Sequence, residues 1–431
     1  MTKTLPDWLA YIERQHPKSI EMGLERVREV AVRMRLYRPA HRVITVGGTN
    51  GKGSTVAFIE AIARAAGLRV GAYTSPHLLA YNERVRIDGR DADDAALSSA
   101  FAAVEAARGD TLLTYFEFGT LAALWLFQRA DLDLAILEVG LGGRLDATNL
   151  VDADVAVITT VDLDHQDWLG EDREAIGAEK AGIARAWKPL VLGDDDPPAS
   201  VLRHAYAIGA SAIRAGSDFF FERLDAARWR WRELDYALEL PLPALAARVQ
   251  LRNAAIAIAA LRALDIEITD TALTSGIAGA RLPGRLQRFG RGVVEVFVDV
   301  GHNPQAARGL ADWLRTTPAA GRTHAVYAAL GDKDVAAVVA AFEGVVDAWW
   351  LAGSLGAGAR GIAVDTLAER LRGTAASDGD RYADPAAALA AALERAAPGD
   401  RVLVFGSFHA AESALQALHG QDSEATPDAG V

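Results

Sequence analysis

The sequence contains no cysteine, which excludes disulfide bonds and metal sites built from thiolates. It has no apolar run of the length that spans a bilayer, and its first residues lack the basic and apolar segments of a secretory signal. The formal net charge of −12 argues against a general nucleic-acid-binding protein, whose surface would carry a basic face. We therefore expect a monomeric, cytoplasmic enzyme with small-molecule substrates and no membrane or nucleic-acid partner.

The length of 431 residues is too great for one core of ordinary size, so two domains are expected. Short apolar strands alternate with helical segments, which predicts an α/β fold with a mostly parallel sheet and helices on both faces. A stretch rich in arginine and turn formers at 281–293 marks the boundary. We expect an N-terminal domain of the phosphate-loop type over 1–284, a smaller Rossmann-like α/β domain over 285–420 and a disordered tail over 421–431. Strands are predicted at residues 43–46, 70–74, 134–139, 155–161, 190–192, 294–300, 324–330, 348–352 and 401–405.

Residues 219–240 interrupt this alternation with phenylalanine, tryptophan and arginine. The pattern predicts antiparallel strands at one edge of the sheet, with Trp229 and Trp231 on a shared face. Such a face could be an aromatic platform for a ligand, but we favour packing against the rest of the protein.

Residues 47–54 read Gly-Gly-Thr-Asn-Gly-Lys-Gly-Ser and follow the apolar run 43–46. Helical periodicity follows from 55 to 66. A strand, a glycine loop with one lysine and a hydroxyl, and then a helix form the layout of a nucleotide phosphate-binding loop. Lys52 can reach the β- and γ-phosphates, and Ser54 can ligate Mg²⁺. The usual pattern differs because Gly53 separates the lysine from the hydroxyl, and the alternative is a glycine-rich turn that binds nothing.

Polar side chains follow several predicted strands, and the carboxyl ends of parallel strands are where ligands bind. Ser75, Glu138 and His165 each follow a different strand. Together with Ser54 they offer hydroxyl, carboxylate and imidazole ligands for Mg²⁺ or Mn²⁺. Taken singly, Glu138 could be a cap or ion-pair partner and His165 a satisfied loop histidine. Lys180 lies on a helix predicted to point at the same rim, where the default reading is a solvated surface charge.

In the second predicted domain, Asp299, His302 and Asn303 follow a strand and open a helix. Arg285 lies in the boundary segment, and Asn253 lies near the start of an alanine-rich helix. If the domains close over a nucleotide, these groups could hold its far end. A helix cap at Asn303 explains part of the same pattern.

Further motifs allow a comparison with a known family. The motifs, in chain order, are Gly-Thr-Asn-Gly-Lys-Gly-Ser at 48–54, Thr-Ser-Pro-His-Leu at 74–78, Glu-Arg-Val-Arg-Ile at 83–87, Thr-Tyr-Phe-Glu at 114–117, Glu-Val-Gly-Leu-Gly-Gly-Arg-Leu-Asp-Ala-Thr-Asn at 138–149, Leu-Asp-His at 163–165, Glu-Lys-Ala-Gly-Ile at 179–183, Pro-Gly-Arg at 283–285, Asp299 with His-Asn-Pro at 302–304, Asp-Lys-Asp at 332–334 and Gly-Ser-Phe-His at 406–409. Together they closely resemble the folylpolyglutamate synthase family of the Mur ligase superfamily, in particular its bacterial bifunctional dihydrofolate synthase/folylpolyglutamate synthases. The resemblance extends from about residue 8 to residue 413. The glycine loop is shared across the superfamily, whereas the 138–149 run is far more specific.

The resemblance implies an ATP- and Mg²⁺-dependent amide ligase, with Mn²⁺ as an alternative metal. The carboxylate of dihydropteroate, or the γ-carboxylate of a reduced folate, would take the γ-phosphoryl group of ATP, and the amine of L-glutamate would then displace phosphate. Such phosphoryl transfer needs positioning and charge neutralisation rather than a protein nucleophile.

The resemblance also implies roles for particular residues. Those matched to ATP binding are Thr49, Asn50, Gly51, Lys52, Gly53, Ser54, Asn253, Arg285 and Asp299, with His302 close to the phosphates. Those matched to metal binding are Ser54, Ser75, Glu138 and His165, with Lys180 carried as a carbamate that could hold a second Mg²⁺. Those matched to dihydropteroate binding are Glu21, Met22, Gly23, Thr114, Tyr115, Phe116, Glu117, Leu145, Asp146 and Ala147. The groups implied in catalysis are Lys52, Glu138, His165, Lys180 and His302.

Three alternatives stay open at this point. A folylpolyglutamate synthase without dihydropteroate activity would carry the same motifs. A Mur ligase acting on a cell-wall precursor shares the glycine loop but usually has a further N-terminal domain. A phosphate-loop ATPase that drives movement of a partner would hydrolyse ATP in response to a macromolecule rather than to a pterin and glutamate.

Overall fold

The structure, a computed structural model, describes residues 3–16, 18 and 21–424. The chain divides into two compact units. The first comprises Met1–Ala244 and Val249–Arg281, and the second comprises Leu245–Arg248 and Leu282–Val431. The main crossing at Leu282 lies close to the domain start predicted at residue 285, but the short segment Leu245–Arg248 belongs to the second unit.

The first unit combines a large sheet, a small sheet and ten helices within its described residues. Its helices are α1 (Leu5–Glu13), α2 (Glu25–Arg33), α3 (Lys52–Ala65), α4 (Asp94–Arg108), α5 (Tyr115–Arg129), α6 (Gln166–Leu169), α7 (Arg173–Ala181), α8 (Ala199–Ile208), α9 (Val249–Arg262) and α10 (Asp270–Gly279). Its strands are β1 (Arg42–Gly47), β2 (Val70–Tyr73), β3 (Val85–Ile87), β4 (Arg90–Asp91), β5 (Leu134–Glu138), β6 (Val155–Ile158), β7 (Pro189–Leu192), β8 (Ser211–Arg214), β9 (Phe220–Arg223), β10 (Arg228–Glu233) and β11 (Tyr236–Pro241). Short 3₁₀ helices lie at Tyr81–Arg84 and Ala147–Leu150.

The large sheet has the strand order β4-β3-β2-β5-β1-β6-β7-β8. Neighbouring strands are parallel along the series β2-β5-β1-β6-β7-β8. Strands β3 and β4 add an antiparallel edge beside β2. Val43, Ala135 and Leu137 face a core built with α1, α2, α4 and α5. The alternate residues Ile44 and Ile136 are fully buried on the other face. Helices therefore cover both faces, and the predicted α/β class is confirmed.

The antiparallel strands expected in residues 219–240 are present as β9, β10 and β11. They form a separate three-stranded sheet, so the predicted position at an edge of the main sheet is wrong. Trp229 and Trp231 are fully buried. The Trp231 indole donates to the carbonyl oxygen of Ala255 in α9 at 3.1 Å and stacks on Phe219. The two tryptophans pack into the protein interior, as we favoured, and form no exposed platform.

Within its described residues, the second unit has one mixed sheet surrounded by helices. Its strands are β12 (Gln287–Arg291), β13 (Val294–Val298), β14 (Thr323–Tyr327), β15 (Ala348–Ala352), β16 (Asp380–Tyr382) and β17 (Arg401–Phe405). Its helices are α11 (Pro304–Thr316), α12 (Val335–Ala340), α13 (Val364–Arg370), α14 (Pro385–Arg395) and α15 (Phe408–Glu424), with a 3₁₀ segment at Leu355–Arg360. The strand order is β12-β13-β17-β14-β15-β16, parallel except for the antiparallel edge strand β12.

The predicted tail is only partly described. Helix α15 continues over residues 421–424 and so extends beyond the predicted domain end. Residues 425–431 lie outside the described residues. Across the described ranges, no helix combines the length and the apolar character needed to cross a membrane.

Candidate active site

The glycine loop joins β1 to α3 in the first unit. The helix begins at Lys52, earlier than the predicted residue 55, and Gly51 is its N-cap residue. Gly51 has a φ of 89°, and a Cβ there would lie 2.5 Å from Oδ1 of Asn253. Only glycine combines this left-handed backbone with so close a neighbour. The loop thus delivers the positive end of the α3 dipole at the carboxyl edge of the sheet.

The loop is anchored to the segment that follows β6. The Thr159 hydroxyl donates to the carbonyl oxygen of Asn50 at 2.6 Å, and the Thr49 amide donates to the carbonyl oxygen of Thr160 at 2.8 Å. The Thr49 hydroxyl donates to the carbonyl oxygen of Asp162 at 3.1 Å. Since its polar groups are bonded to a neighbouring strand end, the loop is held in one conformation before any ligand arrives.

Lys52 is the single cation within the glycine loop. Its ammonium group donates to the carbonyl oxygens of Gly48 at 3.0 Å and Thr49 at 3.2 Å. The side chain therefore lies over the loop that it would serve. Its charge and the helix dipole together provide a place for a phosphate group.

Two of the predicted metal-binding residues meet at the ends of neighbouring strands. Glu138 is the last residue of β5, is only 5% exposed and pairs in register with Val46 of β1. Its Oε2 accepts a hydrogen bond from the backbone amide of Ser75 at 3.1 Å. Ser54 is buried in the first turn of α3.

His165 lies beyond the end of β6, in a segment that the sequence predicted as strand up to residue 161. The strand ends at Ile158, and His165 is the half-buried N-cap residue of the short helix α6 with a φ of 52°. Its backbone amide donates to Oδ1 of Asp164 at 2.9 Å.

The predicted metal-binding set contains one carboxylate, one imidazole and two hydroxyls. No group of three or more histidine, aspartate or glutamate side chains that could hold a metal occurs within residues 3–16, 18 and 21–424. A set poor in charged ligands suits Mg²⁺ or Mn²⁺, which take a few protein ligands and complete their coordination with phosphate oxygens and water. The donors are therefore chemically compatible with the metal of a nucleotide complex.

The default expectation that Lys180 is a solvated surface charge is wrong. This lysine lies in the last turn of α7 and is only 3% exposed. Burial lowers the pKa of its side chain to about 7, and the charge of Lys52 lowers this pKa as well, while Asp164 and Asp146 oppose the shift. A large part of Lys180 is therefore uncharged near neutral pH, which a solvated lysine would not be.

Three segments that lie far apart in sequence are joined by hydrogen bonds. We call them the acceptor segments, and they are residues 21–23, 114–117 and 145–147. The amide of Gly23 donates to the carbonyl oxygen of Leu145 at 3.4 Å. The Arg26 guanidinium donates to the carbonyl oxygen of Glu21 at 2.6 Å, and its Nε lies 2.9 Å from Oε1 and 3.0 Å from Oε2 of Glu117. One arginine thus joins two of the segments, and a backbone bond joins the third.

The second acceptor segment opens helix α5. Thr114 is the N-cap residue, and its amide and hydroxyl donate to Oε2 of Glu117 at 2.8 and 2.9 Å. This capping box fixes the first turn. The Phe116 ring lies 5.9 Å from that of Tyr73, and the Tyr115 ring lies 5.9 Å from that of Tyr81. The first turn of α5 therefore combines the aromatic rings of Tyr115 and Phe116 with the buried carboxylate of Glu117.

Asp146 holds the third acceptor segment together. Its Oδ1 accepts from the amide and the hydroxyl of Thr148 at 2.9 and 2.6 Å, and its Oδ2 accepts from the amide of Leu141 at 2.9 Å. Burial raises the pKa of this carboxyl group, and these hydrogen bonds oppose the shift. Ala147 next to it is buried, and Met22 packs against the core that contains Leu169. Both carboxylate oxygens of Asp146 accept hydrogen bonds from its own loop. The contacts of Asp146 therefore stabilise the conformation of that loop.

Arg26 is a residue that the sequence reasoning missed. The pattern of α2 shows it as one charged position among several, and no motif marks it. Only the fold reveals that it contacts two acceptor segments.

Asn253 lies in the first unit against the phosphate loop. It is buried in α9, donates to Oε1 of Gln250 at 3.0 Å and approaches Gly51 as described above. Asn253 falls within the predicted N-terminal domain, residues 1–284, and it lies in the first unit of the structure.

The second unit has its own polar cluster at the end of β13, which we call the Asp299 cluster. Oδ2 of Asp299 accepts from the amide of Leu286 at 2.8 Å, and Oδ1 accepts from the amide of Gly301 at 2.7 Å. Burial raises the pKa of Asp299, whereas Arg285 and His302 act to lower it. The sequence-predicted groups Arg285, Asp299 and His302 therefore lie together.

An aromatic side chain and a helix cap complete this cluster. The Arg285 guanidinium lies 5.6 Å from the centre of the Phe408 ring, and the His302 ring lies 6.4 Å from it. Asn303 is the N-cap residue of α11, and its side chain accepts from the amide of Ala306 at 3.0 Å. The cap interpretation of Asn303 is thus confirmed.

A phosphate loop on a parallel sheet and a second α/β unit with a polar strand end define a class of ligase. The Mur ligase middle domain matches residues 46–261, and the Mur ligase glutamate ligase domain matches residues 284–408.

Whole-chain comparisons narrow the class. The dihydrofolate synthase/folylpolyglutamate synthase of Escherichia coli is 46% identical over 420 residues, which cover 97% of this chain and 96% of that protein. A structure of E. coli FolC in complex with DHPP and ADP superposes with a TM-score of 0.92 at 45% identity, over 97% of this chain and 99% of that one. A bifunctional folylpolyglutamate synthase/dihydrofolate synthase with Mn, AMPPNP and L-glutamate bound has a TM-score of 0.90 at 46% identity, over 97% and 98%. The chain belongs to the dihydrofolate synthase/folylpolyglutamate synthase family.

Proposed function

We propose that this protein is an ATP-dependent ligase that joins L-glutamate to dihydropteroate, giving dihydrofolate, and to the γ-carboxylate of reduced folates, giving folylpolyglutamates. An oxygen of the acceptor carboxylate forms a bond to the γ-phosphorus of ATP as the bond to ADP breaks. The glutamate amine then attacks the carbonyl carbon of this acyl phosphate, loses a proton and releases phosphate. The names of the relatives carry both activities.

The observation that carries the proposal is the meeting of the three acceptor segments. The bond between Gly23 and Leu145, and the double contact of Arg26 with Glu21 and Glu117, join three parts of the chain that lie far apart in sequence. The same unit holds the phosphate loop. One edge of the large sheet can therefore bind both the phosphate donor and a flat acceptor that forms hydrogen bonds.

The proposed roles within the first unit follow from these contacts. Residues 49–54 and Asn253 bind ATP, and Lys52 offsets the charge on the transferring phosphoryl group. Ser54, Ser75, Glu138 and His165 would hold Mg²⁺, which when bound polarises the phosphoryl oxygens. Lys180, as a carbamate, would add oxygen ligands for a second ion. The residues proposed for dihydropteroate binding are Glu21, Met22, Gly23, Thr114, Tyr115, Phe116, Glu117, Leu145, Asp146 and Ala147.

In the second unit, we propose that Arg285 and Asp299 contact ATP and that His302 serves its phosphates. Support comes from the Asp299 cluster, in which Arg285 and His302 lie near a buried carboxylate. The first unit is then the ATP-binding domain with the pterin site, and the second is the ligase domain. A cytoplasmic location and a monomeric state stay predictions.

The decisive experiment is phosphate release with ATP and L-glutamate, comparing dihydropteroate, tetrahydrofolate and no acceptor. We expect release with both acceptors and little without one. Phosphate release with tetrahydrofolate but not with dihydropteroate would indicate a monofunctional folylpolyglutamate synthase. A rate of phosphate release that is the same with and without an acceptor would contradict ligase activity.

A pair of variants tests the acceptor segments directly. Arg26→Met should raise the KM for dihydropteroate about tenfold, since losing about 1.4 kcal/mol of binding corresponds to that factor. Arg28→Met removes the same charge from an exposed position of the same helix and should leave KM unchanged. Equal effects of the two variants would contradict the assignment.

A further inference from the structure

We infer that Asp194 and Arg173 are positioning residues that set the location of the segment carrying His165, by holding that segment at Val161. The inference deepens the proposed function and rests on it in one respect, since His165 is assigned there to the metal.

The contacts at Val161 form a clamp. Oδ2 of Asp194 accepts a hydrogen bond from the Val161 amide at 2.7 Å, and the Arg173 guanidinium donates to the Val161 carbonyl oxygen at 2.9 Å. The two side chains form an ion pair at 3.7 Å. Both backbone polar groups of one buried residue are thus bonded to the two halves of a charged pair, and each bond to a charged partner is stronger than a bond between neutral groups.

The clamp is built from elements that already serve the candidate site. Asp194 follows β7, and Arg173 is the first residue of α7, whose last turn carries Lys180. Arg173 also donates to the carbonyl oxygen of Asp196 at 3.0 Å. The turn after β7 and the start of α7 are therefore both bonded to Val161.

Only residues 162–164 separate the clamp from His165. Within that stretch, the amide of Asp162 donates to the hydroxyl of Thr49 at 3.1 Å, and that hydroxyl lies 3.1 Å from the Asp162 carbonyl oxygen. A displacement of Val161 would therefore reach the phosphate loop as well as His165. A protein binds a metal more tightly when other residues fix the orientation of the metal ligand. Loss of such an orienting residue typically lowers metal affinity about 10- to 100-fold.

The turn after β7 cannot shift easily, which makes it a suitable support. A Cβ on Gly193 would lie 2.4 Å from the Thr159 carbonyl oxygen, so the turn passes very close to the end of β6. On its outer side, Asp195 pairs with both terminal nitrogens of Arg252 at 3.0 and 2.6 Å. Asp194 is thus held between the sheet and helix α9.

Three variants test the inference. Asp194→Ala removes the acceptor of the Val161 amide, and Asp194→Asn keeps an oxygen acceptor while losing the charge that pairs with Arg173. Asp196→Ala is the matched control, because it removes the same charge from the same run of aspartates and retains the backbone carbonyl that Arg173 contacts. Melting temperatures identify any variant that fails to fold, in which case Asp194→Asn decides.

The first measurement is Mn²⁺ binding in the presence of ADP, followed by electron paramagnetic resonance. We expect about tenfold weaker binding in Asp194→Ala, an intermediate value in Asp194→Asn and no change in Asp196→Ala. The second is amide hydrogen exchange of residues 161–165 without nucleotide, which should be faster in Asp194→Ala. The KM for dihydropteroate should stay within about twofold, since the acceptor segments are not bonded to the clamp.

The outcomes separate this inference from the proposed function. Wild-type Mn²⁺ affinity and exchange in Asp194→Ala would overturn the clamp whatever reaction the enzyme performs. Faster exchange with unchanged Mn²⁺ affinity would overturn the positioning role. If the wild-type protein releases no phosphate with either acceptor, the proposed function fails, and the exchange and Mn²⁺ measurements still decide the clamp.

Discussion

Replacing Lys180 by alanine should remove most of the ligase activity, and a small carboxylic acid such as formate should restore part of it. The reason lies in the burial of this lysine beside Lys52, which lowers its pKa from the ordinary 10.5 to about 7. That difference corresponds to about 5 kcal/mol of free energy against the ammonium form. An unpaired ammonium is therefore a costly occupant of this position, whereas a neutral amine avoids that cost. An anionic carbamate would need the charge of Lys52 and of bound metal to offset its own burial.

The same pKa determines how readily a carbamate forms. At pH 8, a lysine with a pKa of about 7 is about nine-tenths neutral, whereas one with a pKa of 10.5 is about 0.3% neutral. The neutral nitrogen forms a bond to the carbon of CO₂ and loses a proton, which converts a neutral amine into an anionic carbamate with oxygen ligands of the kind that Mg²⁺ prefers. Since protonation blocks this reaction, carbamylation and activity should fall as the pH drops below about 7.

The assay compares Lys180→Ala with Lys188→Ala, an exposed lysine of the same unit that pairs with Asp154. We expect a loss of about 100-fold in the first variant, partly reversed by formate, and no loss in the second. In the wild-type protein, removal of CO₂ and bicarbonate should lower activity, and their return should restore it. A crystal with clear density should reveal three extra atoms at the lysine tip.

One combination of results would refute this reasoning. A bare lysine in an active, metal-loaded crystal, together with no rescue of Lys180→Ala by any small acid, would indicate that the amine itself binds a phosphate or the substrate glutamate. In that case the neutral fraction at pH 8 would have no catalytic meaning.

Three further changes test the remaining assignments. Lys52→Ala should slow turnover at least about 100-fold without lowering the melting temperature, since a charge at the transferring phosphoryl group is worth on the order of 3 kcal/mol; near wild-type turnover would exclude the loop as the ATP site. His165→Ala should weaken the apparent Mg²⁺ affinity about tenfold, with partial recovery at high Mg²⁺; a Mg²⁺ titration identical to that of the wild type would leave His165 only a structural part. Asp146→Ala should raise the KM for dihydropteroate more than that for tetrahydrofolate, and should lower stability by about 1–3 kcal/mol in thermal unfolding because three donors of its loop lose their acceptor. Equal losses with both acceptors would argue that Asp146 shapes the loop without selecting the pteroate.

The central strands of both sheets could be predicted because strands covered on both faces are continuous apolar runs. The edges could not. Strands β3 and β4 have only three and two residues, and β4 consists of an arginine and an aspartate. Strand β12 lies among arginines and glycines that read as a turn, and its backbone pairs with β13 whatever its side chains prefer. Short polar strands are determined by their neighbours, which a local pattern does not contain.

The candidate site divides in the same way. Glu138 could be predicted because it ends an apolar run, and strand ends meet on one edge. The burial of Lys180 could not, since helical periodicity gives a face but not what covers it. Here the covering comes from the 139–149 loop, where the amide of Arg144 donates to the carbonyl oxygen of Glu179 at 2.9 Å. The start of α3 was predicted late because Gly53 suggests a loop, although a glycine is tolerated in the first turn of a helix whose N-cap is already fixed by Gly51.

The charge of the protein bears on how it could hold a triphosphate at all. The chain carries −12 overall, and Lys52 is the single cation of the glycine loop. Lys180, the other lysine within its electrostatic reach, is largely neutral at pH 8 and would become anionic on carbamylation. The protein side chains around the loop therefore cannot by themselves offset the charge of ATP. Backbone amides at the start of α3 supply part of the balance through their dipoles, and divalent metal and the proposed contact with Arg285 supply the rest. A site that excludes extra ammonium groups in this way makes its affinity for ATP depend on Mg²⁺ rather than on long-range attraction, which is consistent with an acidic protein whose substrates are all anions.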